Sequence, residues 1–373
     1  MRKILSGSVA LACLFAIGSS GEAAPGKRTI GFVAWDFIYA SYGGGRESCP
    51  DGFNRGADEL YLADQKPEER ERLSKGDGAR ELGRLVGVRG ELNACKNPTE
   101  FKNYGLKTYQ GAVHNGLNLD GADTTTSANA PPNACAHPNF VSPTGEKGID
   151  NQMGRAVGCI RGYAPGLDFD KTTAGTLSDG SYSVLIEVRG VDDLRNDPEV
   201  EVGIYSGTGG VATDPTGKLL PYQSVSIHDD VHYHNETKGK IVDGVLTTDP
   251  VHMHLRIDQQ VIHSEYDFKD ARLRMELAPD GSVLKGILGG YFDIARRWEH
   301  FVHAGVITSR LVAYNCPGVF AAIQAMADGY PDPKTGKCTA ISTAMRVQAI
   351  PAFVIHPNGS KVAEKPAATT ASR

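Results

Sequence analysis

Apolar positions recur with period two through much of the second half of the chain. Val184, Ile186 and Val188 alternate with Leu185, Glu187 and Arg189. Val200, Val202 and Ile204 alternate with Glu201 and Gly203, and Leu273, Met275 and Leu277 alternate with Arg272, Arg274 and Glu276. This is the period of a strand with one face buried. Pro279-Asp280-Gly281-Ser282 then turns the chain into an apolar run from Val283 to Ile294, which predicts a hairpin. Short strands divided by Gly, Asp and Pro turns predict a mostly β protein. Its expected core is an antiparallel β-sandwich of jelly-roll-like form over residues 166–305.

The flanks carry other patterns. Thr29 to Tyr42 is rich in β-branched and aromatic residues and reads as one buried strand, ended by Gly43-Gly44-Gly45. The rest of 24–165 is irregular and contains cysteines. Short helices are expected at Pro67–Leu73, where proline takes a first helical position before acidic residues, and at Met153–Ile160. Trp298-Glu299-His300-Phe301-Val302-His303 predicts an amphipathic helix that packs Trp298, Phe301 and Val302. Gly318–Gly329 and Thr339–Ala349, joined by the turn Tyr330–Gly336, predict a helical hairpin within 306–358. The Lys/Ala/Thr/Ser tail at 359–373 is expected to be disordered.

The first residues bear on location. Met1-Arg2-Lys3, an apolar stretch to Ile17 and Gly21-Glu22-Ala23 have the order of a secretory signal peptide, with cleavage expected after Ala23. Without Cys13, six cysteines remain, an even number suited to disulfides in the periplasm or outside the cell. A sequential pairing is expected: Cys49–Cys95, Cys135–Cys159 and Cys316–Cys338. No later run is long enough to predict a membrane span. A net charge of −5 and the lack of a basic stripe argue against nucleic acid as a partner.

The chemistry concentrates between His228 and His263, which hold six of the eleven histidines. His232/His234 and His252/His254 have His-x-His spacing, and in a strand residues two apart share a face. Neighbouring strands would bring four imidazoles together, and neutral imidazole suits zinc or copper. Asp230 has the same parity and is a fifth candidate ligand. Val251, Met253, Leu255 and Ile257 are assigned to the core side. The competing reading is a plain polar strand face.

Asn118, Asp120 and Asp123, with Asp150 and Asn151 nearby, offer oxygen ligands for calcium. The competing reading there is a chain of Asx-turns. Glu265, Asp267, Asp270 and Glu276 are candidate carboxylates for hydrolysis. No Gly-x-Ser-x-Gly elbow, His-Glu-x-x-His, P-loop or dinucleotide fingerprint occurs.

Two functions lead from this pattern, with a purely structural envelope protein as the third option. One is an exported binding protein with a histidine-held metal and a small-molecule or polymer ligand. The other is a secreted hydrolase acting on a polymer or ester, and three histidines converging beside a cleft would favour it.

Overall fold

The structure is a computed structural model that describes residues 27–43, 47–88, 92–123, 135, 137–165, 175–177, 179, 182–259, 262–311 and 314–357. The expected signal peptide and the 359–373 tail lie outside these residues.

The strands, in chain order, are β1 (Arg28–Tyr39), β2 (Phe140–Val141), β3 (Lys147–Ile149), β4 (Ser183–Val191), β5 (Asp197–Thr208), β6 (Gln223–Ile227), β7 (His234–Val242), β8 (Val245–Thr248), β9 (Val251–Gln259), β10 (Ile262–Leu277), β11 (Leu284–Asp293), β12 (Gly329–Pro331) and β13 (Cys338–Ile355). Eight of them close on themselves. β1 pairs with β4, β4 with β5, β5 with β7, β7 with β8, β8 with β10, β10 with β11, β11 with β13, and β13 with β1, every pair antiparallel. The fold is therefore a closed eight-stranded barrel and not the jelly-roll-like sandwich expected from sequence. Period-two patterning is common to both architectures, and closure depends on pairings between strands far apart in sequence.

The strand that closes the ring is the one the sequence hid. β13 occupies the segment expected as the second helix of a hairpin. Ala340 to Met345 are all buried, one after another, so their burial follows no two-residue period. Alanine, isoleucine, serine and threonine without alternation resemble a buried helix as much as a doubly covered strand. The first expected helix is present at Cys316–Ala325, but the helical hairpin is not established.

A β-bulge sets the inside of the barrel. Ile30, Phe32 and Ala34 of β1 join the main core, then the register slips between Ala34 and Asp36. After the slip Phe37 and Tyr39 belong to that same core, whereas Trp35 is exposed. Without the extra residue the parity of the strand would send Phe37 and Tyr39 outward. The β10–β11 hairpin matches its prediction, with Leu273 opposite Leu288 and Met275 opposite Gly286. A second apolar cluster lies on the other face of β1 and β4, where Val33 and Leu185 pack with Val225 and Ile227 of β6.

The cysteines join distant parts of the chain. The pairs are Cys49–Cys159, Cys95–Cys316 and Cys135–Cys338, with sequence separations of 110, 221 and 203 residues. The sequential pairing is thus overturned at all three bonds. It assumed that each bridge closes a local loop. Instead two of them fasten the irregular N-terminal region to the segments around the Cys316–Ala325 helix and the start of β13. Three disulfides suit an oxidising compartment. No described helix is long and apolar enough to cross a membrane.

Candidate metal centre

The site is built on the outer face of β9 and β10. Met253, Leu255 and Ile257 are buried in the main core, as the alternation requires, so His252, His254 and Arg256 face away from it. β9 pairs antiparallel with the first half of β10, placing Asp267 opposite His254 and Glu265 opposite Arg256. The carboxylates therefore share the face of the histidines.

His254 is held in place by side chains from other strands. Asn235, itself buried, accepts a hydrogen bond from His254 N at 2.9 Å and donates to His254 O at 3.0 Å. It also donates to Ile204 O at 2.8 Å. Ser206 Oγ accepts from Arg256 N at 2.8 Å. A side-chain amide and a hydroxyl thus satisfy the β9 backbone where it faces β5 and β7.

Three of the four expected imidazoles come together. The His232 and His254 rings are 4.1 Å apart between centroids, and the His252 and His254 rings 4.5 Å. His232 Nε2 is hydrogen-bonded to Glu265 Oε2 at 2.8 Å, and His252 Nε2 to Asp267 Oδ1 at 2.6 Å. His254 Nδ1 lies 3.7 Å from Glu265 Oε1, is buried and has no hydrogen-bond partner. Burial holds the His254 imidazole below its ordinary pKa, reinforced by the nearby His232 and His252 rings and opposed by Asp267 and Glu265. Two sets of donor atoms, His232/His254/Glu265 and His252/His254/Asp267, each fall within 4.8 Å of one another.

His234 and Asp230 are placed elsewhere. Val231–Tyr233 forms a 3-10 turn and not an extended strand, so the same-side rule fails for His232 and His234. His234 Nε2 bonds His228 O, and its ring packs edge-on to Tyr205 at 5.7 Å. Asp230 caps the turn by accepting from His232 N at 2.9 Å.

Glu265 and Asp267 stand in the sequence analysis as hydrolytic carboxylates, not as partners of the histidines. Strand parity could have identified them, because both sit at odd positions of β10 opposite the face of Phe268. Asn235 gave no such signal.

Beside this cluster is a cleft of about 370 Å³ lined by Tyr233, Arg256, Asp258, His263, Glu265 and Arg296, among others. Glu265 belongs to both. In the loop proposed for calcium, Asn118 accepts from Gly121 N and Asp120 from Ala122 N, both at 2.7 Å, which is the geometry of Asx-turns. Compared with known proteins, the chain matches no family model, no curated protein and no solved structure.

Proposed function

We propose that the chain is an exported binding protein that holds a divalent transition metal, zinc or copper, through His232, His254 and Glu265, flanked by His252 and Asp267. The observation that carries this reading is His254 Nδ1, a buried nitrogen with no hydrogen-bond partner, aimed at a carboxylate 3.7 Å away. A buried ring nitrogen without a partner is costly. A metal would satisfy it. Ligands at about 2.0–2.1 Å around a tetrahedral ion stand about 3.3–3.4 Å from one another, and small rotations of the His232 and Glu265 side chains would bring these three atoms there. Export is supported by three disulfides and by the signal-like first residues.

Three histidines converging beside a cleft, the arrangement expected to favour a hydrolase, support a second reading, metal-assisted hydrolysis. Three protein ligands leave a coordination position for water, and the cleft begins at Glu265. In that reading the ion activates the water, and the cleft positions a polymer or ester.

The test is elemental analysis of untagged protein after incubation with excess zinc or copper and gel filtration. One ion per chain is expected in the wild type and less than a tenth of that in His232→Ala/His254→Ala. A wild type that retains no metal would overturn both readings. Retained metal without turnover of ester or polysaccharide substrates would leave the binding reading alone.

A further inference from the structure

Arg297 is a buried cation with no paired anion among the described residues. It lies in the Ile294–Leu311 helix, which continues directly from β11, and it is 4% exposed. Its guanidinium carbon is 5.0 Å from the ring centroids of Phe292 and Phe301, 5.2 Å from that of Tyr266 and 5.6 Å from that of Tyr39. Nη2 donates to the Tyr39 hydroxyl, and the guanidinium also hydrogen-bonds the Tyr163 and Tyr266 phenols. Nε and Nη1 are buried and have no hydrogen-bond partner, and no carboxylate pairs with Arg297 among the described residues.

The phenols do not neutralise it. Burial pushes Tyr39, Tyr163 and Tyr182 well above the ordinary tyrosine range and raises Tyr266 as well, against the opposing pull of the Arg297 charge. They are therefore protonated at neutral pH, while arginine keeps its charge. Two further polar atoms nearby lack partners. His300 Nδ1 and the Tyr182 hydroxyl are both buried and unbonded, and both side chains flank Tyr266, at ring distances of 5.9 and 6.5 Å. One cationic fork, one imidazole and one phenol thus gather around the Tyr266 ring with hydrogen-bonding capacity unused.

We infer that this end of the barrel interior binds a small organic carboxylate, with Arg297 as its anchor and Tyr182 and His300 as neighbouring polar contacts. A guanidinium prefers oxyanions that accept two hydrogen bonds. The surrounding Phe37, Phe292 and Phe301 rings suit the apolar body of an organic acid. A divalent inorganic phosphate would have to give up more hydration than a single carboxylate to enter such walls. Eight-stranded barrels are of a size to hold one small ligand.

The chain contains its own reporter. It has two tryptophans, exposed Trp35 and Trp298, and the Trp298 ring stacks on Phe301 at 5.6 Å. The Trp35→Phe protein leaves Trp298 as the sole emitter. Acetate, hexanoate, laurate and inorganic phosphate would be titrated separately while its fluorescence is read. Saturable change with at least one carboxylate is expected, and at least tenfold weaker binding in Arg297→Met.

Arg297→Lys keeps the charge without the fork and should bind with intermediate affinity. Calorimetry on the wild-type chain gives the same answer should a variant not fold. Carboxylates that give no saturable signal by either method would overturn the inference, as would phosphate binding tighter than every carboxylate, or an Arg297→Met variant that binds as the wild type does.

Discussion

The outer histidine face and the interior around Arg297 handle charge in opposite ways. Outside, His232 pairs with Glu265, His252 with Asp267 and His263 with Asp258, all within reach of water. Such exposed pairs contribute little to stability, about 0–1 kcal/mol each. Inside, Arg297 has rings and a phenol but no carboxylate partner among the described residues. Placing a charge there without an opposite charge costs stability. The difference separates two kinds of site. The outer face can exchange ligands without disturbing the fold, whereas the inner cluster is part of the packing that holds the barrel together.

The sharpest way to break this comparison is to remove packing from the inner cluster. Phe292 is 1% exposed. Its ring lies 4.5 Å from that of Phe268, is stacked on Tyr266 at 5.5 Å and lines the Arg297 box. Phe292→Ala is expected to lower unfolding free energy by about 3–5 kcal/mol in urea titrations, against about 0.5 kcal/mol or less for His252→Ala on the outer face. Comparable losses at the two positions would erase the distinction.

A pH series on the buried carboxylate Asp150 sharpens it further. Asp150 is 2% exposed, and burial, aided by nearby Asp120, pushes its pKa up to about 7, while the Leu119 N–H at 2.6 Å pulls the other way. The unfolded carboxyl titrates near about 3.9. Between those values the folded chain holds a proton that the unfolded chain has released. The contribution is therefore fully present below pH about 4 and is lost as pH rises through about 7.

Asp150→Asn cannot titrate, so its stability relative to the wild type should rise over this interval, by up to about 4 kcal/mol. His114 has the opposite slope. Burial lowers it to about 4, so its contribution is present above about 6.5 and falls as pH drops toward 4. Urea titrations of both proteins at pH 4.5 and 8 measure the difference. A stability gap that does not change with pH would mean that Asp150 is not held protonated.

What the sequence revealed follows where alternation is clean. β4, β5 and the β10–β11 hairpin were legible because charged residues such as Glu187, Glu201 and Arg274 alternate with apolar ones, even where, as in β4, both faces are buried, and Met253, Leu255 and Ile257 point inward as their parity demanded. β13 was not, because Ala340 to Met345 carry no charged residue that would mark an alternation. Of the candidate ligands, His252 and His254 lie on a true strand and share a face. His232 reaches the cluster from a 3-10 turn, and the same turn carries His234 away. Closure of the ring and the disulfide pairing depend on contacts between residues more than 100 positions apart, as does the Arg297–Tyr39 bond, 258 positions long, and no local pattern encodes those.

Asn235 fastens the outer histidine strand to the barrel wall and should show an intermediate effect. Its amide bridges β9 to Ile204 of β5 through both backbone groups of His254. Asn235→Ala leaves a buried N–H and carbonyls without partners, with an expected loss of about 1–3 kcal/mol. If the metal reading holds, affinity should fall as well, because His254 loses its backbone anchor. Asn235→Asp keeps the acceptor for His254 N but removes the amide donor, so it should restore little. A variant with lower stability and unchanged metal affinity would show that Asn235 supports the barrel without positioning the ligand.

The smallest effect on stability should accompany the largest effect on binding. Glu265 makes two contacts, to His232 at 2.8 Å and to His254 at 3.7 Å, on a partly exposed face. Glu265→Gln keeps its shape and removes its charge. Unfolding free energy should change by no more than about 0.5 kcal/mol, since the amide can keep the hydrogen bond to His232 on a partly exposed face. Metal retention should fall at least tenfold, because a neutral amide is a much weaker ligand than a carboxylate for zinc or copper. His252→Ala serves as the control on the flanking pair and should reduce retention less, since the His232/His254/Glu265 set remains whole. Equal losses in the two variants would shift the ion toward His252, His254 and Asp267. Full retention in Glu265→Gln would take the carboxylate out of the site and leave the outer face with imidazoles alone.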